Sequence, residues 1–251
     1  MSGVAGGYAV VATATLGLHL LGALPTGAAT VVGLVLAGAL VGTLVVASSR
    51  IDLQLYGPAV VRGPTNNPVV ALTFDDGPHP DSTPALLRAL RHAEARATFF
   101  VLVDQCERHP DLLRAIAAEH EVGLHGLAHH PWLTLLPPGR GAAELREAVR
   151  RLRSIVDAEI RWYRPAFGVT SPRLAEAVER AGLRTAWCSL RTGDGVRSDP
   201  GRLLTACARA EAGDVLLLHE GPKPARLVLP QVLRDLADRD LRSVSIGDLL
   251  A

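Results

Sequence analysis

Two long apolar runs open the chain, Val4 to Leu24 and Ala28 to Ala47, separated by Pro25-Thr26-Gly27. Each is about 20 residues long, enough for an α-helix to cross a hydrocarbon core of roughly 30 Å. Neither has the polar face of a surface helix. The pattern predicts a transmembrane helical hairpin over residues 1–49. The competing readings are a signal peptide or a single anchor, but a signal peptide normally opens with basic residues and Met1-Ser2-Gly3 has none.

Residues 50–68 contain Gly57-Pro58, Gly63-Pro64 and Asn66-Asn67-Pro68 and read as a turn-rich linker. From residue 69 a regular alternation sets in. Apolar runs of strand length fall at 69–75, 96–103, 121–126, 160–164, 184–190, 214–219 and 241–246, with amphipathic stretches between most of them. Thr83-Pro84, His109-Pro110, Ser171-Pro172 and Asp199-Pro200 each put Pro at a first helical position, and Gly182 and Gly213 stand where helices are expected to end. Strands alternating with helices predict an α/β domain over 69–251, its parallel sheet closed or nearly closed as a barrel. Chemistry in such barrels sits at the C-terminal ends of the strands.

Charge sharpens the division. Residues 1–49 hold no Asp, Glu, Lys or Arg, so all 26 basic and 25 acidic residues lie beyond them. Lys223 is the only lysine, and because the arginines alternate with acids no nucleic-acid surface is expected. Cys106, Cys188 and Cys207 form neither an even disulfide set nor a CxxC pair; they read as buried thiols and leave the redox compartment open.

The first barrel strand runs into Asp75-Asp76-Gly77-Pro78. Adjacent carboxylates at a strand end project differently, so one can bind a metal while the other handles a proton, although the same four residues are also good turn chemistry. The third strand ends in His125-Gly126-Leu127-Ala128-His129-His130. Histidines four apart can converge on one ion, and with a carboxylate from the same rim they make a His-His-Asp set with positions left open for water and substrate.

With these pieces in place, TFDDGP at 73–78, HGLAH at 125–129, RPAFG at 164–168, Asp194 and LLH at 217–219 resemble, in order, the five motifs of the NodB-type polysaccharide deacetylases, carbohydrate esterase family 4. The resemblance implies a distorted (β/α)7 barrel and a metal-dependent hydrolase of linear amides that removes N-acetyl groups from N-acetylglucosamine-type units of a glycan. It implies that Asp76, His125 and His129 hold a divalent metal, zinc before cobalt, manganese or nickel. Asp75 would be the general base, Arg164 its orienting partner and His219 the general acid. Substrate contacts would come from Leu217, lining the acyl-methyl pocket, from Phe167, whose backbone N–H would face the oxyanion, and from Asp194. That last residue is expected either to tune His219 or to belong to an ordinary Arg191–Gly195 turn.

The motifs depart from the family pattern in three places. Gly126 and Ala166 replace a hydroxyl residue and a proline, and Gly195 stands where many members have Trp, so one wall of the sugar groove is expected to be absent. His79 and His130 read as neighbours of the site, and His92, His109 and His120 as helix residues without a role. Trp132 can stack on a sugar or pack its loop, and Trp187 reads as core. Two alternative functions remain: deacylation or deformylation of a lipid-linked sugar, and a catalytically inactive glycan-binding barrel. Integral membrane attachment is expected. Arg50 and Arg62 vote for a cytoplasmic catalytic domain, whereas glycan substrates favour the extracytoplasmic side, which is the expected placement.

Overall fold

The computed structural model describes residues 25–251 except 65, 66 and 198, together with His19 and Gly22. The first apolar run, on which the expected hairpin depends, lies outside the described residues apart from those two. The second run forms helix α1, Thr26–Ser49, 24 residues long and long and apolar enough to cross a membrane. Its apolar side chains, among them Val31, Leu34, Val35 and Val45, are exposed; near its foot Ala47 is buried.

Among the described residues nine strands follow: β1 (Ala59–Val60), β2 (Val69–Gly77), β3 (Thr98–Leu102), β4 (Glu121–Gly126), β5 (Trp162–Tyr163), β6 (Arg184–Ala186), β7 (Leu190–Arg191), β8 (Val215–His219) and β9 (Arg242–Val244). Between them run helices α2 (Thr83–His92), α3 (Val103–Arg108), α4 (Pro110–Glu119), α5 (Pro138–Arg153), α6 (Pro172–Arg180), α7 (Pro200–Cys207) and α8 (Ala225–Ala237), with α9 (Ile246–Leu249) last. The expected proline starts are those of α2, α4, α6 and α7. In α6 and α7 the cap is also visible: Ser171 accepts from the Leu174 N–H, and Asp199 from those of Gly201 and Arg202. Gly182, at φ 75°, closes α6 as expected. Gly213 does not end a helix, because α7 stops at Cys207; it makes the turn into β8, its N–H donating to Val69 O.

All pairings between named strands are parallel, in the order β1-β6-β5-β4-β3-β2-β8-β7, with β9 against the start of β2. The expected run 184–190 is divided into β6 and β7, which pair with β5 and β8 respectively. One bent segment thus reaches both ends of the strand order and curls the sheet into a distorted barrel. β1, inside the expected linker, joins that sheet beside β6.

Parity along the strands decides what faces where. In β2, Val70, Leu72 and Phe74 pack outward under the helices, whereas Val69 and Ala71 belong to a separate inner cluster with Phe100, Trp162, Trp187, Val215 and Leu217. Continuous apolar strands are what a sheet covered on both faces requires. Thr73 and Asp75 in β2, and His219 in β8, continue the inner-facing parity toward the strands' C-terminal ends. Asp75 and His219 are direct partners in the β2–β8 register.

Candidate active site

Strict alternation would send Asp76 outward, away from Asp75. The β2–β3 register instead shifts between Asp75 and Gly77, leaving Asp76 as the additional residue of a bulge with φ 73°. The β3–β4 register shifts in the same way, pairing Val101 with Leu124 and Leu102 with Gly126, so His125 is the additional residue there. Each irregularity re-aims one side chain. Asp76 Oδ1 comes to lie 3.4 Å from His125 Nε2 and 3.5 Å from His129 Nε2.

Donor chemistry tests whether this cluster fits a cation. His125 Nδ1 is 2.8 Å from the Arg164 carbonyl, an acceptor only, which puts the ring proton on Nδ1 and leaves the Nε2 lone pair facing inward. Asp76 Oδ1 is buried and has no hydrogen-bond partner. Burial lowers the affinity of His129 for a proton, as does the neighbouring His125, and favours the neutral ligand form. Three inward-facing lone pairs, their atoms within 4.8 Å of one another, suit a metal ion. Among the described residues no other such cluster occurs; His79 and His130 stand outside it.

Asp75 is held from below. The fully buried Arg164 donates from Nη1 to Asp75 Oδ1 at 2.8 Å and to Thr73 Oγ1 at 2.7 Å, donates from Nη2 to the Trp187 carbonyl at 2.9 Å, and lies 4.0 Å from the Phe100 ring centroid. Its planar fork is satisfied on three sides, which fixes the carboxylate it pairs with. Gly123 makes room for that aromatic: a Cβ there would come within 2.6 Å of the Phe100 ring.

Across the mouth, His219 Nδ1 lies 2.8 Å from Asp194 Oδ1, while Asp194 Oδ2 accepts the His219 backbone N–H at 2.9 Å. Thr192 Oγ1 also donates to Asp194 Oδ1. With its carboxylate buried and committed to these partners, Asp194 sits behind His219. Burial favours the neutral imidazole of His219, yet Asp194 and the charges of Asp75 and Asp76 outweigh it and raise its pKa. Leu217 is buried in the inner cluster of β8. Phe167 is 57% exposed, sits at φ 58° in the short turn Ala166–Gly168, and brings its ring centroid 4.1 Å from that of His129.

The family model for polysaccharide deacetylase matches residues 62–186. A chitooligosaccharide deacetylase of Sinorhizobium fredii is 33% identical over 175 residues, covering 68% of this chain and 81% of that one. The chain belongs to the polysaccharide deacetylase family. A peptidoglycan-N-acetylglucosamine deacetylase of Bacillus cereus is 27% identical over 211 residues, 80% of this chain and 97% of that one. Among solved structures, a family 4 carbohydrate esterase from Streptomyces lividans in complex with acetate is 29% identical with a TM-score of 0.65, covering 70% of this chain and 92% of that one.

Within this polysaccharide deacetylase, two features of the site escaped the sequence reading. Gly195 is more than a missing wall: a Cβ there would lie 2.6 Å from His219 Cε1 and 2.8 Å from Nε2, so the imidazole rests on the glycine backbone. Lys223 donates to the Gly195 carbonyl at 2.7 Å and ties that loop down. Glu220, next to His219, is buried against Gly77, takes hydrogen bonds from Ser82 and Thr83, and has its carboxyl pushed up to about 7 by burial. The available signal was a carboxylate placed directly after an apolar strand.

Proposed function

We propose that this protein is a metal-dependent N-deacetylase acting on N-acetylglucosamine-type units of a glycan, with its barrel held at a membrane by α1. The observation that carries the reading is the opposition of two pairs, the buried Asp75–Arg164 and the partly buried His219–Asp194, with Asp75 and His219 at register-paired positions on β2 and β8 beside a three-ligand cluster. A glycan-binding barrel without activity has no use for a positioned acid and base together.

Amide hydrolysis needs an activated water, a stabilised oxyanion and a proton for the departing amine. A divalent ion on Asp76, His125 and His129, zinc being suited to this N,N,O set, supplies Lewis-acid polarisation and a more acidic water. Asp75 accepts the proton of the attacking water, and Arg164 keeps that carboxylate oriented. The turn at Phe167 presents its backbone N–H to the developing oxyanion. His219, whose affinity for a proton Asp194 raises, delivers a proton to the amine, which leaves poorly as an anion. Leu217 lines the place of the acetyl methyl.

The test is acetate release from N-acetylated chitooligosaccharide and peptidoglycan by the full chain, before and after chelation and zinc restoration. Activity that is lost and regained, and reduced roughly 10²-fold or more in Asp75→Asn, is the expected result. Wild-type turnover by Asp75→Asn overturns the assignment of the base. The length and apolarity of α1 support membrane attachment, and glycan substrates support an extracytoplasmic barrel. A compartment-specific reporter fused after Ala251 reads the side directly.

A further inference from the structure

The foot of α1 is joined to the rim of the active site. The Thr170 N–H donates to the Ser48 carbonyl at 2.9 Å, and Thr170 lies three residues beyond Phe167, whose ring stands over His129. The next residue, Ser171, donates from its hydroxyl to the Thr134 carbonyl at 2.7 Å, and Arg173 donates to the Leu135 carbonyl at 3.1 Å. These few hydrogen bonds place the turn Pro131–Thr134, the turn Ala166–Gly168 and the end of α1 side by side. The chain leaving α1 also folds back along it: the Tyr56 hydroxyl lies 3.4 Å from both the Leu44 carbonyl and Ser48 Oγ.

These adjacent segments expose several large apolar side chains. Trp132 is 64% exposed and Leu135 61%, Phe167 is exposed on the site itself, and Leu53 and Leu55 are exposed beside the foot of the helix. Large apolar side chains gathered on one rim mark a contact surface, and a tryptophan and a tyrosine beside the end of an apolar helix suit the headgroup level of a bilayer.

We propose that this rim is a lipid-docking surface: Trp132, Leu135 and Phe167 enter the headgroup region next to α1 and hold the mouth of the site at the bilayer. The sugar taken is therefore one presented at the lipid surface, an N-acylated sugar carried on a lipid. The proposal rests on the reading that α1 spans the membrane, and its occupant follows from continuity with that helix. Trp132 reports on it without labelling, because the other two tryptophans, Trp162 and Trp187, are buried at 2% and 3% exposure.

The experiment reconstitutes the full chain into vesicles, floats them, and measures tryptophan emission with lipids brominated near the headgroup end of the acyl chains and with aqueous iodide. The expected result is quenching by bromolipid, shielding from iodide, and loss of the quenchable component in Trp132→Phe. In parallel, Leu135→Asp is expected to raise KM for an N-acetylated glycolipid in vesicles roughly tenfold, the cost of withdrawing one such side chain from lipid, while leaving hydrolysis of a soluble chitooligosaccharide unchanged. A chain that floats while Trp132 is quenched by iodide alone overturns the docking and leaves the anchor standing. A chain that does not float overturns the anchor and the docking together. Equal loss on both substrates in Leu135→Asp overturns the assignment to lipid.

Discussion

Replacing Gly195 with alanine adds a single methyl group against the imidazole of His219. The new Cβ would lie 2.6 Å from Cε1, 2.8 Å from Nε2 and 3.0 Å from Nδ1, across one face of the ring. Carbon atoms rest at about 3.5–4.0 Å, so the ring or the glycine loop must give by roughly 1 Å. The ring is tied by Nδ1 to the buried Asp194, which is itself engaged by the His219 backbone N–H and by Thr192. The loop is tied by Lys223 to the Gly195 carbonyl. With both sides held, displacement falls on His219, the proposed proton donor, and a misplacement of about 1 Å in a positioned group costs on the order of 10²-fold in rate. The assay is kcat for acetate release from a chitooligosaccharide, with metal content and melting temperature measured on the same sample. Gly195→Ala is expected to lower kcat about 10²-fold while metal content stays at the wild-type level, since Asp76, His125 and His129 lie outside the contact. Wild-type kcat in a folded, metal-replete variant would refute the claim that the glycine backbone seats His219.

Asp194→Asn removes the negative charge and one of the two accepting oxygens behind His219, so the alkaline limb of the pH–rate profile should move to lower pH; an unmoved limb would detach Asp194 from the proposed acid. Arg164→Ala leaves the Asp75 carboxylate buried without its partner and should destabilise the fold by about 3–5 kcal/mol in chemical denaturation, in addition to lowering turnover. His120 is buried, neither ring nitrogen has a partner, and burial pushes its pKa down from 6.5 to about 4. Because the folded state binds its proton more weakly than the unfolded chain, stability is full above pH 6.5 and falls as the pH drops toward 4, by up to about 3 kcal/mol; His120→Leu should flatten that part of the stability–pH curve.

The barrel was legible in the sequence because a strand covered on both faces has to be apolar throughout, and seven such runs with proline-marked helix starts leave little choice of architecture. The exception among the punctuation marks is instructive. Gly213, like Gly182, has a positive φ, but its conformation serves a turn into β8 set by long-range contacts with Gly63 and Val69, which local pattern does not contain. The strand in the supposed linker, β1, escaped for a related reason. It is two residues long and held by its pairing with β6, more than a hundred positions away.

In the site, the residue types were readable and their aim was not. Period-two alternation correctly turns Asp75 and His219 inward, but applied to Asp76 it points the carboxylate away from the histidines. Only the bulges at Asp76 and His125 bring those atoms together, and a bulge is a property of two strands' register, invisible in either strand alone. Gly195 carries the same lesson in the other direction. As a sequence letter it signified a lost aromatic and a wider groove; in the fold, the space beside it is filled by the imidazole of His219. A bulky residue restored at this position would therefore not rebuild a wall. Unless the loop took another path, its Cβ would strike the His219 ring before its own ring reached the groove, so one position governs both the groove wall and the seating of that imidazole.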